Sequence, residues 1–233
     1  MLVFTVVLPW RPQPSRLAAF DRVVDWYRRE FPDARIVPVD SGDEVFNLSR
    51  CRNLGVGLVE DARSVVVLND ADTIPERGPL LEAVAAAADS PLVHLPYTEY
   101  HWLGAEGSAQ FAEGTPLREC VSELVHGACS GVYVTTPETW WSHGGQDERF
   151  AGWGYEDAAW SVAHETLLGA PPARHAGRVF ALHHVPQPRS GSQYEANAGL
   201  MDLYRRAAVD AVLMRQLVMA PETASNARSA PGA

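Results

Sequence analysis

The chain has 233 residues, 46% of them hydrophobic and 21% charged, with a net charge of -10. That size fits one domain with a buried core, and the acidic balance argues against a surface built to coat nucleic acid. All 19 basic residues are arginine, which excludes chemistry that needs a Schiff-base lysine or a phosphate-loop lysine. Cys51, Cys120 and Cys129 are odd in number and lack metal-ligand spacing, so no disulfide framework is expected. No run of 18 apolar residues occurs, and residues 1–9 lack the form of a leader. A cytoplasmic protein without a membrane span is the expectation. Residues 171–233 hold seven arginines against four acids, which leaves room for an anion near that end.

In chain order, residues 2–8 read as a buried strand. Residues 14–31 read as an amphipathic helix with Leu17, Phe20, Val24, Tyr27 and Phe31 on one stripe. A strand follows at 35–39, a helix over 47–60 weakened by Gly55 and Gly57, a valine-rich strand at 64–68 and a helix over 79–89. Alternating strands and helices imply a parallel sheet with right-handed crossovers, whose ligands bind at the carboxyl ends of the strands. Residues 91–96 suggest another strand. Residues 97–119 have no clean period and read as an irregular lid or binding segment. A strand at 131–134, a short helix opened by Thr136 and Pro137, and a helix over 155–168 closed by Gly169 come next. A last strand at 178–182 runs into His183 and His184. Residues 193–219 read as helical, and 220–233 as a disordered tail.

Three clusters carry chemistry. Asp70-Ala71-Asp72 ends a strand, where two carboxylates can bracket a hard cation, Mn2+ or Mg2+, and leave its other positions for phosphate oxygens. As a bare pattern it is also an ordinary surface turn. Gly152-Trp153-Gly154-Tyr155-Glu156-Asp157 offers a flat ring for a sugar to stack on, with two carboxylates that either bind hydroxyls and remove a proton or simply cap a helix. His183-His184 closes a strand and supplies an imidazole as a cation ligand or a plain turn.

In this order the clusters resemble GT-A glycosyltransferases. The branch is that of the β-1,4-galactosyltransferases, the chondroitin polymerases and the galactosyltransferase-like module of polypeptide N-acetylgalactosaminyltransferases. Val7-Leu8-Pro9-Trp10-Arg11 is similar to the family's P-F-R segment. Phe46-Asn47 and Arg50-Cys51-Arg52-Asn53-Leu54-Gly55 resemble its F-N-R and A-R-N-x-G helix. Asp70 to Pro75 follows its D-x-D-x-I-P motif. Gly131-Val132, the Gly152 to Asp157 segment and Ala181-Leu182-His183-x-x-Pro186 resemble its acceptor and metal-histidine motifs. Pro12-Gln13-Pro14 stands in place of a basic residue, Tyr155 in place of a glycine, and Ser130 where a double glycine begins.

The resemblance implies one α/β GT-A domain over 1–219, a Rossmann-like, mostly parallel sheet flanked by helices. Residues 1–96 would bind nucleotide sugar and residues 97–219 the acceptor. It implies a UDP-sugar donor contacted by Pro9, Trp10, Arg11, Asp40, Arg52, Asp70 and Asp72, with Asp40 and Arg52 at the base. Asp40 is otherwise a turn residue before Gly42. Mn2+ or Mg2+ would be held by Asp70, Asp72 and His183, with His184 a neighbour. The acceptor would meet Trp153, Gly154 and Glu156, and Asp157 would be the general base of an inverting transfer. A saccharide acceptor is implied, with a hydroxylated DNA base the less favoured alternative. A nucleotidyltransferase and a non-catalytic sugar-binding module are the rival readings.

Overall fold

A computed structural model describes residues 3–185 and 190–220. The expected tail beyond 220, together with Pro186, lies outside the described residues.

Strand β1 (Phe4–Pro9) lies between β2 (Arg35–Val39) and β3 (Val65–Asn69), parallel to both. Val6, Val7, Leu8, Val66, Val67 and Leu68 have no exposed surface, as uninterrupted apolar strands covered on both faces require. Each such side chain contributes about 1.5–3 kcal/mol by leaving water. Helix α1 (Leu17–Glu30) and helix α2 (Leu48–Gly57) supply the crossovers. Asn47 caps α2 by accepting from the Arg50 amide at 2.9 Å, which satisfies a first-turn donor and lets the helix start at Leu48. Gly55 is required there, because a Cβ would sit 2.2 Å from Val7 Cγ1.

Beyond β3 the chain makes β4 (Thr73–Pro75), helix α3 (Arg77–Ala87) and β5 (His94–Leu95). The stretch expected to be irregular, 97–119, instead holds β6 (Glu99–Trp102) and helix α4 (Gly104–Ala112), and β7 (Glu123–Val125) follows it. The difference has a physical cause: β6 pairs with β10 (Arg178–Ala181), so its ladder partners lie far away in sequence and leave no local period. Strands β4, β10, β6 and β7 form a second sheet in that order.

The main sheet continues through β8 (Val132–Thr135), β5 and β9 (Ala173–Arg174), giving the order β2-β1-β3-β8-β5-β9. Only β8 runs against the rest. Helix α5 (Pro137–Ser142) starts as expected, with Thr136 accepting from the Thr139 amide and Pro137 in the first turn. Helix α6 (Glu156–Leu168) ends on Gly169 in the left-handed conformation. The expected C-terminal helix is two, α7 (Ser192–Ala207) and α8 (Ala211–Val218), because Asp210 caps a new start at Val212 and Leu213. Phe150, Ala159, Ala163, Met201, Tyr204 and Met214 make a small second core among α6, α7 and α8. No helix among the described residues is long and apolar enough to cross a membrane.

Candidate active site

The carboxyl ends of β1, β2 and β3 converge on one edge of the main sheet, where such folds leave a crevice. At β1 the Trp10 amide donates to Val39 O at 2.8 Å, and the Trp10 ring stacks on Phe20 with centroids 4.1 Å apart. Pro9 ends β1 opposite Val39. Arg11 donates through Nη2 and Nε to Asp40 Oδ1 and Oδ2 at 2.6 and 3.0 Å, and Gly42 N donates to Asp40 Oδ1. The Arg11 guanidinium holds the exposed Asp40 carboxyl below its ordinary range. Two of the residues expected at the nucleotide are thus a preassembled pair.

At β3 the turn through 69–73 is fixed from inside. Asn69 Nδ2 donates to Asp70 O and Thr73 O, and Tyr27 OH donates to Asn69 Oδ1. The Leu182 amide donates to Asp72 O at 2.7 Å, which ties the end of β10 to the Asp72 turn. That tie delivers His184 to Asp72, with Nε2 2.9 Å from Oδ2. His183 turns outward: its amide donates to Ser108 Oγ, and its exposed ring lies 6.4 Å from that of Trp102.

The His184 contact bears on a cation. Val185 O, 2.9 Å from His184 Nδ1, can only accept, so Nδ1 carries its hydrogen. Neutral His184 then aims a lone pair at a carboxylate oxygen, and the two acceptors need a positive charge between them. A proton serves, and Asp72 raises the imidazole's affinity for one. A divalent cation serves equally, and hard oxygen beside imidazole nitrogen is a donor set that suits Mn2+. Among the described residues no three His, Cys, Asp or Glu side chains form a complete cage. Two donors nevertheless fit an ion whose remaining positions go to phosphate and water.

Asp70 faces the other way. Arg52 is fully buried, and its Nη2 donates to Asp70 Oδ1 at 2.6 Å. Its Nη1 donates to Asp157 Oδ1 at 2.6 Å and to Gln146 Oε1 at 2.9 Å, and its plane lies over Tyr133 at 4.8 Å. The expected contact of Arg52 with a nucleotide base gives way to this bridge, because a guanidinium with no exposed surface has none to offer a base. Burial pushes the Asp70 carboxyl up to about 6 despite Arg52, with Asp157 and Asp72 adding repulsion.

Asp157 sits in the first turn of α6, and all of its donors converge on one oxygen. Arg52, Tyr133 OH and Gln146 Nε2 donate to Oδ1, and no described residue donates to Oδ2. One oxygen is anchored and the other faces the open side. Glu156 is buried, accepts from the Gly154 amide at 3.1 Å, and is pushed up to about 7 by burial and then by Asp157. Tyr155 adopts φ 74, the left-handed region, and is the one non-glycine to do so among the described residues. Such a position costs a bulky residue about 1–2 kcal/mol and persists only where its surroundings enforce it. Trp153 lies beside Tyr194 of α7 with planes 13° apart. Gln146, Tyr133 and Tyr194 carry no motif signal; His184 is legible only as the neighbour of His183.

The architecture is that of the GT-A type, and the comparisons agree on that fold. No protein-family model and no curated protein matches the chain. Among solved structures, the catalytic domain of Drosophila beta1,4-galactosyltransferase 7 in complex with xylobiose matches with 17% identity and a TM-score of 0.55. The alignment covers 85% of this chain and 80% of that one. A mutant of the same enzyme with manganese, UDP-Gal and xylobiose gives 13% identity, coverage of 84% and 79%, and a TM-score of 0.54. GalNAc-T7 with UDP, GalNAc and Mn2+ gives 10% identity and a TM-score of 0.52, over 93% of this chain and 48% of that one. The chain thus spans about half of the GalNAc-T7 structure. At these identities the likeness is one of fold, and the GT-A architecture expected from the sequence is the one present.

Proposed function

We propose that this chain is a glycosyltransferase that uses Mn2+ to bind a UDP-sugar and transfers the sugar, with inversion, to a hydroxyl of a saccharide acceptor. The single observation that carries the reading is the Asp157 carboxylate, held through Oδ1 by Arg52, Tyr133 and Gln146 and left open at Oδ2. Support for the ligands comes from the structures of like fold, which hold UDP-Gal with manganese, UDP with Mn2+, and xylobiose.

Asp72 and His184 would hold the cation, with His184 preferred to the outward-facing His183 and Asp70 near its water shell. Mn2+, when bound, offsets the negative charge that develops on the departing diphosphate. Arg11 and Asp40, with Pro9 and Trp10, form the nucleotide wall at the ends of β1 and β2. Arg52 fixes Asp157 relative to Asp70, so the base side and the donor side of the reaction keep one geometry. Asp157 Oδ2 takes the acceptor hydroxyl's proton as its oxygen attacks the anomeric carbon from the face opposite the diphosphate. Trp153 gives the acceptor ring a flat apolar surface, and Glu156 with Gly154 shapes the floor of that subsite. A thermal-shift panel of UDP-, GDP- and ADP-sugars with and without Mn2+ tests the assignment. UDP at about 100 times its Kd should add about 2.7 kcal/mol of stability, and only with the metal. Absence of any nucleotide-dependent shift would sink it.

A further inference from the structure

We propose that Asn197 and Tyr194 of α7 are positioning residues that hold the 151–155 segment in its working shape before any ligand binds. Trp153 and Asp157 are then presented by a preformed acceptor site. What that site does rests on the glycosyltransferase reading; the clamp rests on geometry alone.

Asn197 is 1% exposed. Its Nδ2 lies within hydrogen-bond reach of three carbonyls, Ala151 O at 3.0 Å, Gly154 O at 3.1 Å and Trp153 O at 3.4 Å. Gln193 Nε2 donates to Asn197 Oδ1 at 3.1 Å, which fixes the amide with its hydrogens toward the loop. Tyr194 runs along Trp153, with centroids 6.1 Å apart, and its ring also meets Tyr155 at 5.2 Å. It presses on Gly154 so closely that a Cβ there would lie 2.9 Å from Tyr194 Cε2. A segment with two glycines samples many backbone shapes when free. Here three carbonyls and one aromatic ring select a single shape, including the left-handed Tyr155. Because α6 begins at Glu156, the backbone direction at 154 and 155 sets where Glu156 and Asp157 point.

The clamp is separable from the packing of α7. Met201, Tyr204 and Ala207 seat that helix in the second core without Tyr194 or Asn197. Loosening the clamp should therefore free the loop and leave the helix docked.

Amide hydrogen exchange of peptides covering 151–157, in the full chain without ligand, tests the proposal. Exchange of the Gly154 amide, which donates to Glu156, should already be slow in the unchanged protein and should alter little on adding UDP and Mn2+. Asn197→Ala and Tyr194→Ala should each speed it about tenfold or more, with peptides from β1 and β3 unaltered. Tyr194→Phe keeps the ring and should restore slow exchange. Both alanine variants should keep the UDP and Mn2+ thermal shift while lowering kcat for UDP-galactose hydrolysis more than they change KM. Fast exchange in the ligand-free protein that slows only with UDP and Mn2+ would overturn the clamp, as would alanine variants that exchange like the parent. If exchange follows the expectation but UDP with Mn2+ never shifts the melting, the clamp stands and the glycosyltransferase reading fails.

Discussion

Arg52 and Asp157, 105 residues apart in sequence, meet at 2.6 Å, and the same guanidinium holds Asp70 at 2.6 Å. One buried cation therefore neutralises carboxylates from two ends of the site. Removing it leaves Asp70 and Asp157 facing each other beside the apolar ring of Tyr133. Arg52→Ala should cost about 3–5 kcal/mol, the range for a buried pair that loses one partner, and lower Tm by on the order of 10 °C. Arg52→Lys should recover little, since one ammonium cannot span both carboxylates in the planar fork geometry. Thermal melting of the two variants checks this; an Arg52→Ala protein that melts like its parent defeats it.

Asp157→Asn preserves the shape of the anchored oxygen and removes the proton acceptor. UDP with Mn2+ should still stabilise the variant, while transfer falls by about 10²–10⁴, the usual contribution of a positioned base. NMR of the product should find the anomeric configuration opposite to that of the donor. Near-normal turnover, or retained configuration, would reject the role.

The two histidines that end β10 separate by mutation. His184→Ala and Asp72→Ala should each abolish the part of the UDP thermal shift that depends on Mn2+, and His183→Ala should leave it nearly whole. The opposite ranking of the histidines would return the ligand role to His183.

Glu156 carries a pH signature. Its carboxyl is raised to about 7 in the folded chain from an ordinary 4.5. Its contribution to stability is full below pH 4.5 and is lost as pH rises through about 7, where the buried group must ionise. Glu156→Gln keeps an acceptor for the Gly154 amide and removes the ionisation. The variant should gain stability over its parent at about pH 8 and gain almost none at about pH 4.5, by urea denaturation at both values. An equal difference at the two pH values would contradict the assignment.

His143 and His164 act in the other direction. His143 Nδ1 donates to Thr139 O and its Nε2 accepts from Trp160 Nε1, while His164 Nδ1 donates to Ala170 O and its Nε2 accepts from the Val93 amide. Both rings are neutral by construction, and burial depresses them to about 3 and about 4. Their contribution is present above the ordinary value of 6.5 and drains away as pH falls toward those depressed values. The two histidines should pull the urea midpoint down from about pH 6.5 to about pH 4, against the opposite pull of Glu156. The slope should flatten in His164→Gln, provided that variant still folds by circular dichroism. A His164→Gln variant whose midpoint falls with pH as steeply as its parent's would rule that histidine out as an acid-labile element.

The sequence by itself determined the parallel core, the cap at Thr136, the Asp70 to Asp72 turn at the end of β3 and the acid-led start of α6. Each depends on local periodicity or on a side chain acting on its own backbone within a few residues. Tertiary structure alone decided the rest. The second sheet has no local period because β6 and β10 supply each other's hydrogen bonds. The motif resemblance points to His183, whereas the Leu182 amide on Asp72 O brings His184 inward to Asp72. Arg52, legible as part of a helix motif, becomes a bridge only because α2 carries it between the end of β3 and the start of α6, burying a charge that must then collect Asp70, Asp157 and Gln146. Asn197 reaches the 151–154 loop by the same logic: a buried amide needs partners, and folding put the carbonyls of 151, 153 and 154 within its reach.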